Sequence, residues 1–413
     1  MKKGFSLLTS IILTSFIGCN IYFFVVLRTT GLEEVAGWIM FVFFLWLYFM
    51  ILHTGNVSKY RRMLLVASAI LFVPSFVALI YEEGRTMGLT YIEILKTEVP
   101  FCHIVIPVII LPYILFKIII FPARLTGHFA SLYSMLGIWL MATLVIGRGW
   151  CSWICFFGGW DDGISRLSKK PVLKIDSKNN KVRFFNFAIL IFVVFASLYT
   201  LTPVYCTWLC PFKLITEYEQ PVNLSTYIAM IIFVLTFFGL VVVLPYLTRK
   251  RFQCMSFCPF GAFQSLMGFF SFYRLRINTE KCTQCLRCVS ECPTMSLTED
   301  IIKEKKGKPS ITCTKCGECI GVCLNGAANY EFAICKTPKE KFWIKWLNKI
   351  SLKDGLFNKI LMKVIIAFDE ILSPYALLTF SAFTFGMVIC SGFGTGTIHR
   401  LLNLILKGSF LLK

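Results

Sequence analysis

The sequence predicts an all-α polytopic membrane bundle carrying a small α+β insert, and three observations lead there. Apolar runs of about twenty residues recur along the chain, the length a helix needs to cross a hydrocarbon core. The composition agrees: of 413 residues, 57% are hydrophobic, 41 are phenylalanine and only 15% are charged. Near residues 275–335 the apolar texture gives way to polar residues and closely spaced cysteines.

Spans are expected at about 5–27, 36–54, 63–81, 101–121, 129–147, 184–204, 225–247 and 371–392. Met1-Lys2-Lys3 and the run up to Gly18-Cys19 read like a secretory or lipoprotein signal. The apolar run continues through Leu27, so a retained first helix is expected instead. The 42 Lys+Arg against 22 Asp+Glu sit mostly in short loops beside apolar runs. Positive-inside topology accounts for that charge, with the lipid bilayer as partner and no nucleic acid. The basic loop 166–183 and Arg249-Lys250-Arg251 are expected on the cytoplasmic side, which delivers the insert there too. Lys2/Lys3, Lys59/Arg61/Arg62 and Lys117/Arg124 also suggest inside loops. The count then closes only if the chain near 150–165 re-enters the membrane or one early span is misplaced. By segment, 1–147 reads as transmembrane helices, 148–270 as a membrane region with three cysteine pairs, and 273–335 as the insert. Residues 339–363 read as a basic amphipathic helix in the headgroup layer, and 364–413 as a last span and tail.

Eight of the 18 cysteines form two copies of C-x2-C-x2-C-x3-C: Cys282, Cys285, Cys288, Cys292 and Cys313, Cys316, Cys319, Cys323. Zinc sites usually take two pairs set apart by a long spacer. Three cysteines at every third residue let one short loop wrap three corners of a cube. That is the bacterial ferredoxin run, in which the fourth cysteine of each copy ligates the other copy's cluster. The insert is therefore expected to be a two-cluster bacterial ferredoxin-like unit. One [4Fe–4S] cluster is assigned to Cys282, Cys285, Cys288 and Cys323, the other to Cys313, Cys316, Cys319 and Cys292. Pro293 follows the first run as the pattern asks, whereas Leu324 replaces it in the second. Such thiolates belong in a reducing compartment.

Six more cysteines form three C-x3-C pairs, Cys151/Cys155, Cys206/Cys210 and Cys254/Cys258. Each follows an apolar span among aromatic residues, which marks an internal repeat. On a helix, residues four apart share a face, so each pair can present two sulfurs together. Two pairs would complete a four-thiolate site, and one alone would be a redox dithiol or half a site. The competing reading is cysteine as a small buried hydrophobe. A radical-SAM site is excluded, because Gly158, Lys213 and Gly261 stand where a third cysteine would be. Loop charges place the first and third pairs on the insert's side and the middle pair near the opposite face.

The runs at 147–155 and 254–261, together with the double ferredoxin run, resemble the membrane-bound ferredoxin-type electron-transfer proteins. These are related to the quinol-oxidising subunit of periplasmic nitrate reductase systems. The chain also resembles the cysteine-rich membrane regulators of nitrous-oxide and nitrite reductase expression. The resemblance covers about 147–330 and implies four-iron clusters at the ferredoxin cysteines and electron exchange with a membrane or periplasmic partner. Phe156 stands where the family usually has proline, the pair at 206/210 is additional, and no flavin-binding domain is expected ahead of the spans.

Weaker candidates are the histidines His53, His103, His128 and His399; a haem between two of them is disfavoured. Cys19, Cys102, Cys335 and Cys390 read as buried structural cysteines, Asp161-Asp162-Gly163 as a solvated turn, and Asp369-Glu370 as a membrane-edge pair. Gly392-x-Gly394-x-Gly396 lacks the strand–helix context of a nucleotide loop.

The function expected is membrane-anchored electron transfer in the cell membrane of a prokaryote. Electrons would pass between a cytoplasmic or quinone donor and a membrane or extracytoplasmic redox partner protein. The chain is then an electron-transfer subunit rather than a stand-alone enzyme. An accessory or regulatory protein for redox sensing or metalloenzyme assembly is the alternative. A transporter with structural clusters is disfavoured, because the expected spans hold almost no ionisable groups.

Overall fold

The computed structural model describes residues 4–27, 29–83, 98–99, 102–117, 130–175, 180–216, 223–304, 307–333, 364 and 366–412. The amphipathic segment expected at 339–363, with Arg124, His128 and Cys335, lies outside the described residues.

The expected bundle is present. Among the described residues six helices are long and apolar enough to cross a membrane, and a seventh span forms if a bent pair is counted as one. α1 (Leu7–Ile21) starts where the Ser6 hydroxyl accepts the Thr9 N–H, and a π-helical turn extends it to Val26. α2 (Leu32–Thr54) opens with Glu33 and Glu34 in its first turn and stops at Gly55, whose φ of 67° suits a helix C-terminus. α3 (Val57–Glu83) follows at once. The span expected at 101–121 is shorter in the structure: α4 (Ile106–Phe116) has 11 residues and ends at left-handed Lys117. Pro112 interrupts its hydrogen bonding. α5 (Leu132–Ile146) runs into the first cysteine pair, and α6 (Phe156–Ile164) leaves it at a 48° bend. A broken or re-entrant span at 150–165 is one of the two solutions the loop charges allowed.

α7 (Asn180–Thr200) and α8 (Leu224–Thr236, continuing to Thr248) form the next hairpin. Phe192, Phe195, Ile231 and Leu235 on it are more than half exposed, as lipid-facing side chains are. α9 (Pro259–Met267) leads to the insert. The last helix, α10 (Pro374–Lys407), has 34 residues rather than the 22 expected at 371–392. At 1.5 Å per residue it is about 50 Å long, well beyond a hydrocarbon core of about 30 Å. Its lower end holds Arg400, which pairs with Glu82 at 2.5 Å. α10 packs on α2 and α3 through Phe44, Tyr48, Phe72, Phe383 and Phe393. It also reaches the first cysteine pair, because Gly386 leaves no room for a side chain against the Trp153 carbonyl.

The insert is closed by one antiparallel ladder. β1 (Tyr273–Ile277) pairs with β2 (Ala328–Phe332) in register Tyr273↔Phe332 to Ile277↔Ala328. Buried Tyr273, Leu275 and Ile277 alternate with half-buried Arg274 and Arg276, the period-2 pattern of a strand with one covered face. The insert is docked on the bundle rather than hung from it. Arg61 of α3, fully buried, donates to the Cys316 carbonyl (3.0 Å), the Ser152 carbonyl (2.6 Å) and the Asp162 carboxylate (2.8 Å). Asp161 and Asp162, expected in a solvated turn, are both fully buried because α6 folds into the bundle beneath the insert. Arg62 pairs with Glu318, Arg166 with Glu291 at 2.5 Å, and Arg183 donates to the Met295 carbonyl at 2.9 Å.

Replacing Arg61 by leucine leaves Asp162 buried without its 2.8 Å partner. The expected loss is roughly 3–5 kcal/mol, read as a lower thermal midpoint of the full-length protein in detergent.

Candidate electron-transfer centres

The two ferredoxin runs fold as copies of one loop. Left-handed residues recur at matching positions: Gln284 and Lys315 before the second cysteine, Leu286 and Gly317 after it, Met295 and Gly326 three past the fourth. Left-handed backbone turns the chain sharply, and here it winds each loop about its own cysteines. The fourth cysteines also match, since Ser296 N–H donates to Cys292 Sγ (3.3 Å) and Ala327 N–H to Cys323 Sγ (3.2 Å). Hydrogen bonds to sulfur are one of the levers that set cluster potential.

Cys282, Cys285 and Cys288 line one cavity together with Cys323 of the other run. Cys292 in turn stands in electrostatic range of Cys313, Cys316 and Cys319. Burial pushes the Cys316 thiol up to about 11 and Cys313 to about 12. The two sets differ in exposure. Cys285 is at the surface, whereas Cys292, Cys316 and Cys319 are buried. The second loop faces the bundle: the Lys315 carbonyl accepts from Trp153 Nε1 (3.3 Å) and Tyr330 Oη (2.8 Å). The Lys315 ammonium donates to the Ile146 carbonyl (3.0 Å) and Ser271 Oγ (2.6 Å), and burial lowers its pKa to about 7.

In the bundle, the C-x3-C pairs are not simple i,i+4 helix faces. Cys155, Cys210 and Cys258 all have extended backbone, φ near −70° and ψ near 110°, at a break between two helical segments. The break re-aims the second sulfur while the first stays in its helical turn. Pairs one and three come together: Cys254 is in electrostatic range of Cys151 and Cys155, and Cys258 of the same two. The middle pair does not lie at the opposite face. Left-handed Leu201 ends α7, and the chain turns back so that Tyr205 Oη accepts from Gln253 Nε2 at 3.1 Å. Cys206 and Cys210 both neighbour Cys102, expected to be a merely structural cysteine, and Cys210 is also in range of Cys258. Cys390 is buried as expected, whereas Cys19 is exposed on the outer face of α1. Among the described residues no group of three or more His, Cys, Asp or Glu side chains could hold a single metal ion. A cluster's thiolates stand farther apart than those of one ion and need no such convergence.

Several contacts around the pairs were not read from sequence, where His103 stood only as a weak haem candidate and Arg251 only as topogenic charge. His103 Nε2 lies 3.0 Å from Cys155 Sγ. Arg251 donates to the Cys151 carbonyl (2.7 Å), the Gly158 carbonyl (3.2 Å) and Cys254 Sγ (3.2 Å). Arg148 donates to the Cys254 carbonyl at 3.4 Å. Their signal is Arg-x2-Cys-x3-Cys-x2-Gly, met at Arg148–Gly158 and again at Arg251–Gly261. The middle pair has Pro203 and Lys213 at those positions. Beside the first pair lies an apolar cavity of about 300 Å³, lined by His103, Ile138, Trp139, Trp150, Phe156 and Phe385 among others.

A helical membrane bundle with a docked pair of ferredoxin loops defines an iron–sulfur electron-transfer protein of the membrane. Comparison with known families agrees. The 4Fe-4S binding domain matches residues 128–174, 182–219 and 230–277, and the 4Fe-4S dicluster domain matches 274–324. Relatives include an uncharacterized protein of Methanocaldococcus jannaschii, 26% identical over 49% of this chain and 71% of its own length. The putative electron transport protein YccM of Escherichia coli is 22% identical over 52% of this chain and 60% of its own. The ferredoxin-type protein NapH of Haemophilus influenzae is 32% identical, over 17% of this chain and 26% of its own. No solved structure matches significantly. The chain is a membrane-type ferredoxin electron-transfer protein.

A Cβ on Gly158 would stand 2.5 Å from Arg251 Nη2 and 2.7 Å from the Cys151 carbonyl. Gly158→Ala is expected to cost about 1–3 kcal/mol, seen as a lower thermal midpoint, whereas Gly137→Ala meets nothing within 4 Å and serves as control.

Proposed function

We propose that the chain carries electrons between a soluble carrier at the insert's surface and a lipid-soluble quinone in the bundle. Cys282, Cys285, Cys288 and Cys323 would hold the outer [4Fe–4S] cluster, and Cys313, Cys316, Cys319 and Cys292 the inner one. The observation that carries this reading is the gradient of burial. One set has Cys285 exposed, and the other has its loop fastened to the first cysteine pair through Arg61 and Trp153. A carrier in solution meets the outer set, and the inner set faces the membrane. When bound, the clusters supply one-electron steps; the protein's part is to fix their order, hydrogen-bond their sulfurs and keep water from the inner one.

The cavity beside the first pair supports a quinone as the membrane-side carrier. Its lining is almost wholly apolar, which suits a ring with an isoprenoid tail. Of the polar side chains lining it, Thr384 and Trp139 are already hydrogen-bonded within the bundle, His103 stands beside Cys155, and Trp150 Nε1 is buried with no hydrogen-bond partner among the described residues. A quinone carbonyl would accept from that N–H, and a quinol releases two protons as it gives up two electrons. The basic loops support a cytoplasmic position for the insert in the cell membrane.

Full-length protein purified without oxygen and reduced with dithionite is expected to give [4Fe–4S]⁺ EPR signals of two interacting clusters. Cys285→Ser should alter the outer signal and spare the inner. Absence of any such signal in an iron-replete sample would sink the relay. A quinol analogue should reduce the oxidised clusters, or the corresponding quinone should reoxidise the dithionite-reduced ones, and Trp150→Phe should slow that exchange at least several-fold while leaving dithionite reduction unchanged. Equal rates in the variant would remove the quinone from this cavity.

A further inference from the structure

We infer that Cys151, Cys155, Cys254 and Cys258 hold a third iron–sulfur cluster inside the bundle, clasped between Arg148 and Arg251, with the middle pair excluded from it. The inference takes its role, a link between inner ferredoxin cluster and quinone cavity, from the relay proposed above; the site itself stands on separate observations.

The first is a crossed symmetry. Arg251 precedes the third pair but donates to the Cys151 carbonyl of the first, and Arg148 precedes the first pair but donates to the Cys254 carbonyl of the third. The glycines match as well. A Cβ on Gly158 would press on the Cys151 carbonyl and Arg251, and one on Gly261 would stand 2.9 Å from the Cys254 carbonyl and 3.6 Å from Arg148 Nη2. Two copies of one motif therefore face each other across a local two-fold, each contributing two sulfurs. The middle pair has neither the arginine nor the glycine; both its cysteines neighbour Cys102, and although Cys210 is also in range of Cys258, Cys206 is in range of none of the four.

The second observation is charge. Arg61, Arg148, Arg251, Asp161 and Asp162 are all at most 1% exposed, so three guanidiniums face two carboxylates in an apolar bundle. Asp162 serves Arg61 at 2.8 Å, and Asp161 accepts the Cys254 N–H at 2.9 Å. Arg148 has no ion pair among the described residues, and its Nε and Nη1 have no hydrogen-bond partner. Its strongest electrostatic neighbours are Cys151, Cys254, Cys258 and Cys313. A buried cation so placed calls for an anion. Neutral thiols do not supply one, whereas a four-thiolate iron–sulfur cluster carries net negative charge in both of its usual oxidation states. Cys313 of the inner ferredoxin set is also among the electrostatic neighbours of this guanidinium.

The third is the local chemistry of the sulfurs. Gly158 N–H donates to Cys155 Sγ at 3.3 Å and Arg251 Nη2 to Cys254 Sγ at 3.2 Å. The first bond matches those that Ser296 and Ala327 make to the ferredoxin cysteines.

The test uses full-length protein purified anaerobically, with iron, zinc and acid-labile sulfide counted per chain alongside EPR. Wild type should carry about two to four irons beyond the roughly eight of two ferredoxin clusters. The double variant Cys151→Ser/Cys254→Ser should lose that excess and keep the ferredoxin signals, which also shows that it folds. Cys206→Ser/Cys210→Ser should keep the full count. Arg148→Gln should retain the iron and shift the third centre's midpoint potential downward, with Arg148→Lys restoring part of the shift. About eight irons in wild type, zinc in place of the excess iron, or loss of the excess from the middle-pair variant would each overturn the site. If Cys285→Ser and Cys316→Ser left iron and EPR unchanged while the bundle variant lost iron, the ferredoxin reading would fail and this one would stand.

Discussion

One guanidinium fixes the relation between the soluble-looking part of this chain and its membrane part. Arg61 is buried on a transmembrane helix, and its three donors are shared among the first cysteine loop, the second ferredoxin loop and Asp162. Each of those acceptors is itself buried, so none can turn to water if the others move. The insert thus has one orientation on the bundle. Trp153 and Lys315 repeat the connection a residue away on either side. Electron transfer between centres depends steeply on separation, and a docked insert holds that separation constant where a tethered one would average over it.

Much of this was legible in the sequence for a simple reason. Cysteine spacing in a ferredoxin loop is dictated by the cluster, so the pattern in the chain already contains the geometry. The expected exchange of the fourth cysteines, Cys292 and Cys323, comes from the same rule, and the structure lines one cavity with Cys282, Cys285, Cys288 and Cys323 and sets Cys292 in electrostatic range of Cys313, Cys316 and Cys319. The long apolar helices were equally plain, because bilayer thickness sets their length. What sequence reasoning misjudged were places where the backbone departs from regular helix. Four-residue spacing at Cys155, Cys210 and Cys258 implied a shared helical face, but each second cysteine sits on extended backbone. Proline within 106–116 and left-handed Lys117 shortened a span that hydropathy alone would have made full length. Left-handed Leu201 sent the middle pair back toward Gln253, against the loop-charge argument.

The buried arginines were hidden for a different reason. Arg148 and Arg251 read as loop residues at the ends of apolar runs, where positive charge is commonplace. Only the repeated spacing to the following glycine separates them from ordinary topogenic charge, and a repeat of two in a family of three cysteine pairs is easily overlooked. Aspartates beside a glycine likewise read as a turn until α6 is seen to fold inward and bury both.

The position of the last helix has a consequence for how the molecule is made. α10 packs on α2 and α3 and closes over Trp153 at Gly386, yet it is separated from them in sequence by the whole ferredoxin insert. During synthesis the first cysteine pair therefore waits beside an unfilled groove while the insert emerges and folds. That interval leaves the first pair's thiols uncovered by α10. Once α10 is seated, the same thiols lie behind packed aromatic rings of Phe72, Phe156 and Phe393. Assembly of the bundle is in this sense ordered by the chain itself, with this helix acting as the seal.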